Sequence, residues 1–297
     1  MSPTGYIAAQ GSHVVKLISP DGRFLFQTNF KESVLFKKYE EELNIFEISL
    51  SKVVYLNEND GFFLATGYET ERTPSSDGPN TCSLLFYVKN GQPKLCAQYW
   101  DKFTVPFIGI AGATVQAGHE YLGKLYHDIV EENKVVYSHT GYDKTTGEDG
   151  FAFTLKVYNF TTDEIFEITL PYNPVAIPDS VIEKGLSPHG YSFTDQSFRP
   201  FAEDMRKRLR EVKYLPPVRD IIADGKNVFV VTYDSDYSNQ YPAFVVNIET
   251  GDQGAMVIFP EPPAEIKGGY AYSKSINNDG FPVIKKYRID PAVYRER

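Results

Sequence analysis

The chain has 297 residues, of which 42% are hydrophobic and 23% charged, a composition that excludes disordered, collagen-like and coiled-coil chains. Its 21 Phe and 21 Tyr, with 22 Gly and 19 Pro, favour a β-rich chain with many turns over a helix bundle. The formal charge of −9 gives no overall attraction to phosphate, so neither nucleic acid nor an anionic membrane surface is expected as a partner.

The start, MSPTGYIAAQGSHVVKL, shows no basic segment followed by an apolar run, so no signal peptide is read there. No run of about 18 apolar residues occurs, which argues against membrane insertion by a helix. The first recognisable element is VVKLISPDGRFL from Val14, a strand, an Asp-Gly turn and a second strand. Three longer segments then repeat one pattern: KVVYLNENDGFFLATGYETE (52 to 71), HDIVEENKVVYSHTGYDKT (127 to 145) and RDIIADGKNVFVVTYDSD (219 to 236). Each runs from an apolar strand through a polar turn into a second strand and ends in an acidic loop. A second element follows each one, from Leu84, Leu155 and Phe244. The same element stands without a leader at Val14 and again at Val283.

Five units are therefore visible, at irregular spacing. Runs such as Val228-Phe229-Val230-Val231 are continuously apolar, as strands covered on both faces are, whereas Lys156-Val157-Tyr158-Asn159 alternates. Small sheets stacked face to face give that gradient, and radial repetition of such sheets is a β-propeller. The strands near Tyr6 to Gln10 are expected to complete the last blade with the pair 270 to 273 and 283 to 288.

Cys82 and Cys96 flank the turn Lys89-Asn90-Gly91-Gln92. A two-residue loop sets Leu85 opposite Cys96 and sends the two sulfurs to opposite faces, and a longer loop leaves them too far apart along the ladder. Two free thiols are expected.

The stretch from 180 to 213 breaks the β pattern. Phe198, Phe201, Met205 and Leu209 recur at helical spacing with Pro200 in the first turn, which predicts an amphipathic helix. It carries Arg199, Arg206 and Arg210 in an otherwise acidic chain. The expected organisation is one propeller domain over 1–297 with a helical lid or arm inserted at 171–218.

The cadence of VVKLISPDGRFL and of Pro216-Pro217-Val218-Arg219-Asp220-Ile221 leading into GKNVFVVTY resembles the bacterial six-bladed propellers of the NHL and TolB-like type. The segment Tyr172-Asn173-Pro174-Val175-Ala176-Ile177-Pro178 and the helical stretch after it are similar to an insertion common in that group. The resemblance covers most of the chain. It implies six blades against the five visible, with a weak blade at 30 to 50 or 101 to 122 as one reconciliation. It also implies a periplasmic or extracellular location after signal removal, with a cytoplasmic one left open.

Motifs for chemistry are sparse. Gly118 to Lys124 has the spacing of a phosphate-binding loop, but Leu125 stands where a magnesium-binding Ser or Thr belongs. The five histidines are scattered singly, and His139, inside an apolar strand, reads as a structural residue. Asp234-Ser235-Asp236-Tyr237-Ser238-Asn239 opens like a calcium loop but lacks the glycine and bidentate glutamate of an EF-hand, leaving at most a looser Ca²⁺ site. No other cofactor is indicated, and no catalytic residue is assigned.

Topology gives the remaining expectation. Loops joining second to third strands emerge on one face of a propeller, where they bring Glu69, Asp143, Asp149, Asp234 and Asp236 into an acidic rim. The helical arm, with Arg199, Arg206 and Arg210, is expected over that rim. Strand starts facing the channel offer His127, Asp128, Arg219 and Asp220. The resulting reading is a non-enzymatic propeller that acts as a platform for a protein or a small cationic ligand. The alternative is a lactonase-like, metal-dependent hydrolase with a channel cation. The absence of an acid near Val53 counts against that alternative.

Overall fold

The computed structural model describes residues 4–11, 14–30, 33–69, 81–90, 92–101, 104–108, 114–118, 121–131, 133–146, 150–184, 199–233, 240–277 and 279–294. The fold is all-β, with few helices, in a β-propeller arrangement of five blades. The sixth blade implied by resemblance is not found among the described residues. Residues 34–42 form a helix, and Thr104–Ile108 and Thr114–Gly118 pair as two strands rather than forming a blade.

Two compact units divide the chain. The first comprises Met1–His119 and Lys184–Arg208, the second Glu120–Glu183 and Leu209–Arg297.

In the first unit, β1 (Ile7–Gln10), β2 (Val14–Ile18) and β3 (Phe24–Asn29) form a three-stranded sheet. After helix α1 (Val34–Glu42) comes a four-stranded meander of β4 (Ile45–Tyr55), β5 (Gly61–Glu69), β6 (Thr81–Lys89) and β7 (Gln92–Asp101). The hairpin of β8 (Thr104–Ile108) and β9 (Thr114–Gly118) follows. Val15, Leu17, Phe63, Ala65, Leu84 and Phe86 interlock in one core under Phe36 of α1. Gly67 is needed there because a Cβ at that position would lie 2.4 Å from the Ile45 side chain. Lys89 pairs with Gln92, so the β6–β7 turn has two residues, and a register shift after Leu85↔Ala97 leaves Cys96 without an opposite residue. The expected pairing of Leu85 with Cys96 is thereby corrected to Ala97, because the bulge adds one residue to β7; Cys82 pairs with Trp100, and no disulfide joins the two cysteines, as expected.

The second unit stacks three sheets. β10 (Leu125–Val130), β11 (Lys134–His139), β13 (Ala152–Asn159) and β14 (Glu164–Pro171) run outward in order, with the short β12 (Lys144–Thr145) also on β13. Next come β15 (Asp220–Asp224), β16 (Asn227–Val231), β17 (Tyr241–Asn247) and β18 (Gln253–Phe259), then β19 (Glu265–Lys267), β20 (Tyr270–Ile276) and β21 (Pro282–Arg288). First strands are neighbours, β10 beside β15 and β15 beside β19, which is blade packing. Val136, Phe153, Leu155 and Val157 meet Ile221, Val228, Val230 and Val246 between the first two sheets. Phe229, Val231 and Val245 meet Ile266, Ala271 and Ile289 between the second and third. The apolar run of β16 is therefore covered on both faces, while β14 is mostly exposed.

One expectation is corrected. Residues 7–10 do not complete the last sheet: β1 pairs with β2 in the register Ile7↔Ile18, and β21 pairs with β20. The apolar Val14–Ile18 strand offers β1 a local partner, which wins over a distant one because a short loop costs less closure entropy.

The helical stretch contains α2 (Asp179–Lys184) and α3 (Arg199–Val212). Met205 and Leu209 are buried on α3, matching the predicted apolar stripe.

Candidate functional site

Of the five carboxylates expected at the rim, Asp143 alone has a described side chain. Asp149, Asp234 and Asp236 lie outside the described residues, and Glu69 is the last residue of β5. Asp143 is buried. Its Oδ1 is 2.7 Å from Lys156 Nζ and its Oδ2 accepts the His139 backbone N–H at 2.8 Å. That carboxylate holds the turn after β11 onto β13. His139 beside it is fully buried, its Nδ1 accepts the Gly141 N–H at 3.1 Å, and its ring packs on Tyr142. Burial drives its pKa down to about 4 against the counter-pull of Asp143. A neutral imidazole is the consequence, in line with the structural reading of this residue.

The channel candidates have structural partners as well. Asp128 Oδ2 accepts the backbone N–H of Ala223 at 2.8 Å, and Oδ1 accepts that of Ile129 at 2.9 Å. Asp220 Oδ1 accepts the N–H of Ile221 at 2.9 Å. His127 sits opposite Tyr137 in the β10–β11 ladder. The Arg219 guanidinium lies over the rings of Tyr241 and Tyr233, at 4.2 and 5.2 Å. On the helical arm, Arg199 opens α3, Arg206 is half-buried, and Arg210 pairs with Glu183 of α2 at 2.9 Å. Among the described residues no group of three or more His, Cys, Asp or Glu is placed to hold a metal ion.

A surface that sequence reading missed lies on the third sheet of the second unit. Paired residues of neighbouring strands point to the same face. The register Tyr270↔Arg288, Tyr272↔Lys286, Lys274↔Ile284 and Ile276↔Pro282 therefore lines these eight side chains along one side of β20 and β21. Ile276 is 74% exposed and Ile284 76%, and Phe281 at the hairpin tip is 66% exposed. Lys286 Nζ lies 3.8 Å from the centre of the Tyr270 ring and 5.6 Å from that of Tyr272, so the aromatic row is overlaid by a cation. Lys267 and Glu265 of β19 fall in the same rows, opposite Tyr270 and Tyr272. The face thus carries four cations against one carboxylate in a chain of net charge −9.

The tip is ordered by its own side chain chemistry. Asn277 Oδ1 accepts the N–H groups of Asp279 and Phe281 at 3.1 and 2.8 Å, and Gly280 supplies the left-handed residue, φ 84°, that closes the turn. The signal was present in sequence as the alternation Tyr270, Tyr272, Lys274, Ile276. A period of two states that one face differs from the other without saying which is covered.

No family model matches the sequence, and no curated protein matches it. Among solved structures, an uncharacterized protein from Listeria monocytogenes EGD-e aligns over 93% of this chain and 76% of its own, with 8% identity and a TM-score of 0.28. No helix among the described residues is long and apolar enough to cross a membrane.

Proposed function

We propose that this chain is a non-enzymatic β-propeller that acts as a protein-interaction platform, presenting the open face of β20 and β21 to a partner segment that is acidic and partly apolar. The observation that carries this reading is the joint exposure of Ile276, Phe281 and Ile284 within a row of cations. Exposed apolar groups rimmed by charge mark contact surfaces, and a rigid hairpin presents them without an ordering cost at binding. The basic character of this face turns the expected partner from a cationic ligand to an acidic one. Asp128, Asp143 and Asp220 act in this reading as structural acceptors.

A photo-crosslinking amino acid at Ile284, compared with one at the exposed Ile165 on β14, tests it. The expected result is a crosslinked protein specific to position 284, whose purified form binds the wild-type chain and loses affinity for Ile284→Glu and Lys286→Glu. Equal capture at both positions, or preferential binding of single-stranded nucleic acid to this face, would overturn the proposal.

A further inference from the structure

In the first unit, β3, α1 and the β4–β7 meander line an open cleft of about 650 Å³, a size typical of small-molecule sites. Its floor is aromatic, formed by Phe26, Phe30, Tyr55 and Phe63. These rings are held edge to face, with centroids 4.9 Å apart for Phe30 and Phe63, 5.6 Å for Tyr55 and Phe63, and 5.8 Å for Phe26 and Tyr55. The floor is therefore fixed before any ligand arrives.

The rim is polar and uncharged on balance. Gln27, Asn59 and Gln92 bring carboxamides, and Ser33, which makes no side-chain cap to α1, brings a hydroxyl. Lys38 and Glu58 contribute one charge of each sign, and Lys38 already lies 3.5 Å from Glu42. The turn carrying Asn59 is rigid. Asn57 Oδ1 accepts the N–H groups of Asn59 and Asp60 at 2.8 and 2.9 Å, and Asp60 accepts the Asn90 N–H at 2.8 Å.

The hydroxyl above this floor is available to a ligand. The Tyr55 ring is buried and lines the cleft, and no protein hydrogen bond to its hydroxyl is found among the described residues. Burial alone pushes its pKa up to about 12, so it stays a donor across the physiological range.

We propose that this cleft binds a neutral saccharide, with the C–H face of a pyranose ring on Phe26 and Phe30 and its hydroxyls on the carboxamides and the Tyr55 hydroxyl. A carboxamide both donates and accepts, as a sugar hydroxyl does, whereas an anionic ligand finds no uncompensated cation here, because Lys38 already faces Glu42. A purely apolar ligand would strand the amides. The cleft lies in a different unit from the β20–β21 face, and the two activities are separable by mutation.

The test adds maltotriose, cellotriose and N,N′,N″-triacetylchitotriose to the full chain and follows saturation transfer by NMR and affinity by calorimetry. At least one trisaccharide binds. Tyr55→Phe, which keeps the ring packing, weakens it by about tenfold, Gln27→Ala weakens it as well, and Ile284→Glu leaves it unchanged. Absence of binding by all three at millimolar concentration overturns the proposal. So does equal affinity for Tyr55→Phe and the wild type, or displacement of the sugar by an anionic oligosaccharide at lower concentration.

Discussion

The carboxylate of Asp128 on β10 accepts the backbone N–H of Ala223 on β15 at 2.8 Å, 95 residues further along the chain. The arrangement recurs one blade on, where Asp224 of β15 accepts the N–H groups of Gly268 and Gly269 at 2.9 and 3.0 Å and the Tyr294 hydroxyl at 2.8 Å. Neighbouring blades are stitched by an acid on the first strand of one that satisfies the backbone of the next. The expected outcome of Asp128→Ala is a loss of about 1–3 kcal/mol in urea unfolding, because the N–H groups of Ala223 and Ile129 lose this acceptor. Asp224→Ala, which strands three donors, costs more. Chelators leave both measurements unchanged if these acids act on backbone rather than metal.

Stability falls with acid through His139. Burial holds its imidazole near a pKa of about 4, below its ordinary 6.5, so the unfolded chain takes up a proton at higher pH than the folded one. The contribution is fully present above about pH 6.5 and is lost as pH falls towards 4, amounting to at most about 3 kcal/mol. Unfolding free energies at pH 4.5 and 6.5 check this. His139→Asn, whose carbonyl can still accept the Gly141 N–H, flattens the slope across that window.

Asp143→Ala destabilises the second unit by about 3 kcal/mol, since it leaves Lys156 and the His139 N–H without their acceptor. Lys156→Met costs less, because Asp143 retains the backbone donor. Thermal unfolding of the two variants orders them.

Ile284→Glu changes stability by no more than about 0.5 kcal/mol, as expected for a side chain that is 76% exposed. Under the proposed function it abolishes capture of the acidic partner. Chemical denaturation and a binding titration on the same preparation separate the two effects.

The blade pattern was legible because hydrophobic periodicity records how many faces of a strand are covered. Val228 to Val231 form a continuous apolar run and are buried on both faces, and Met205 and Leu209 recur at helical spacing and are buried on one. Partner choice was not legible. Asp128 and Asp220 stand at similar strand positions and look free to converge, but which backbone N–H lacks a ladder partner depends on how the next sheet is set, and no residue pattern encodes that. The aromatic floor escaped for a related reason: Phe26, Tyr55 and Phe63 sit on β3, β4 and β5, Phe30 follows β3, and only packing gathers them. The ring-closing role assigned to residues 6 to 10 failed because nothing in their composition distinguishes a remote sheet from the adjacent β2.

The outer edge of β21 begins with a proline and has Lys285 and Lys286 at its centre. Were two copies to meet edge to edge in antiparallel fashion, these ammonium groups would be brought into adjacent positions, and Pro282 would offer no N–H to the junction. Edge-to-edge pairing at this strand is opposed by the charge of Lys286 and by the missing N–H of Pro282, while the charge of Lys285 is held by Glu261. Exchanging Lys286 for threonine or valine removes that charge and makes the edge a better template for strand pairing.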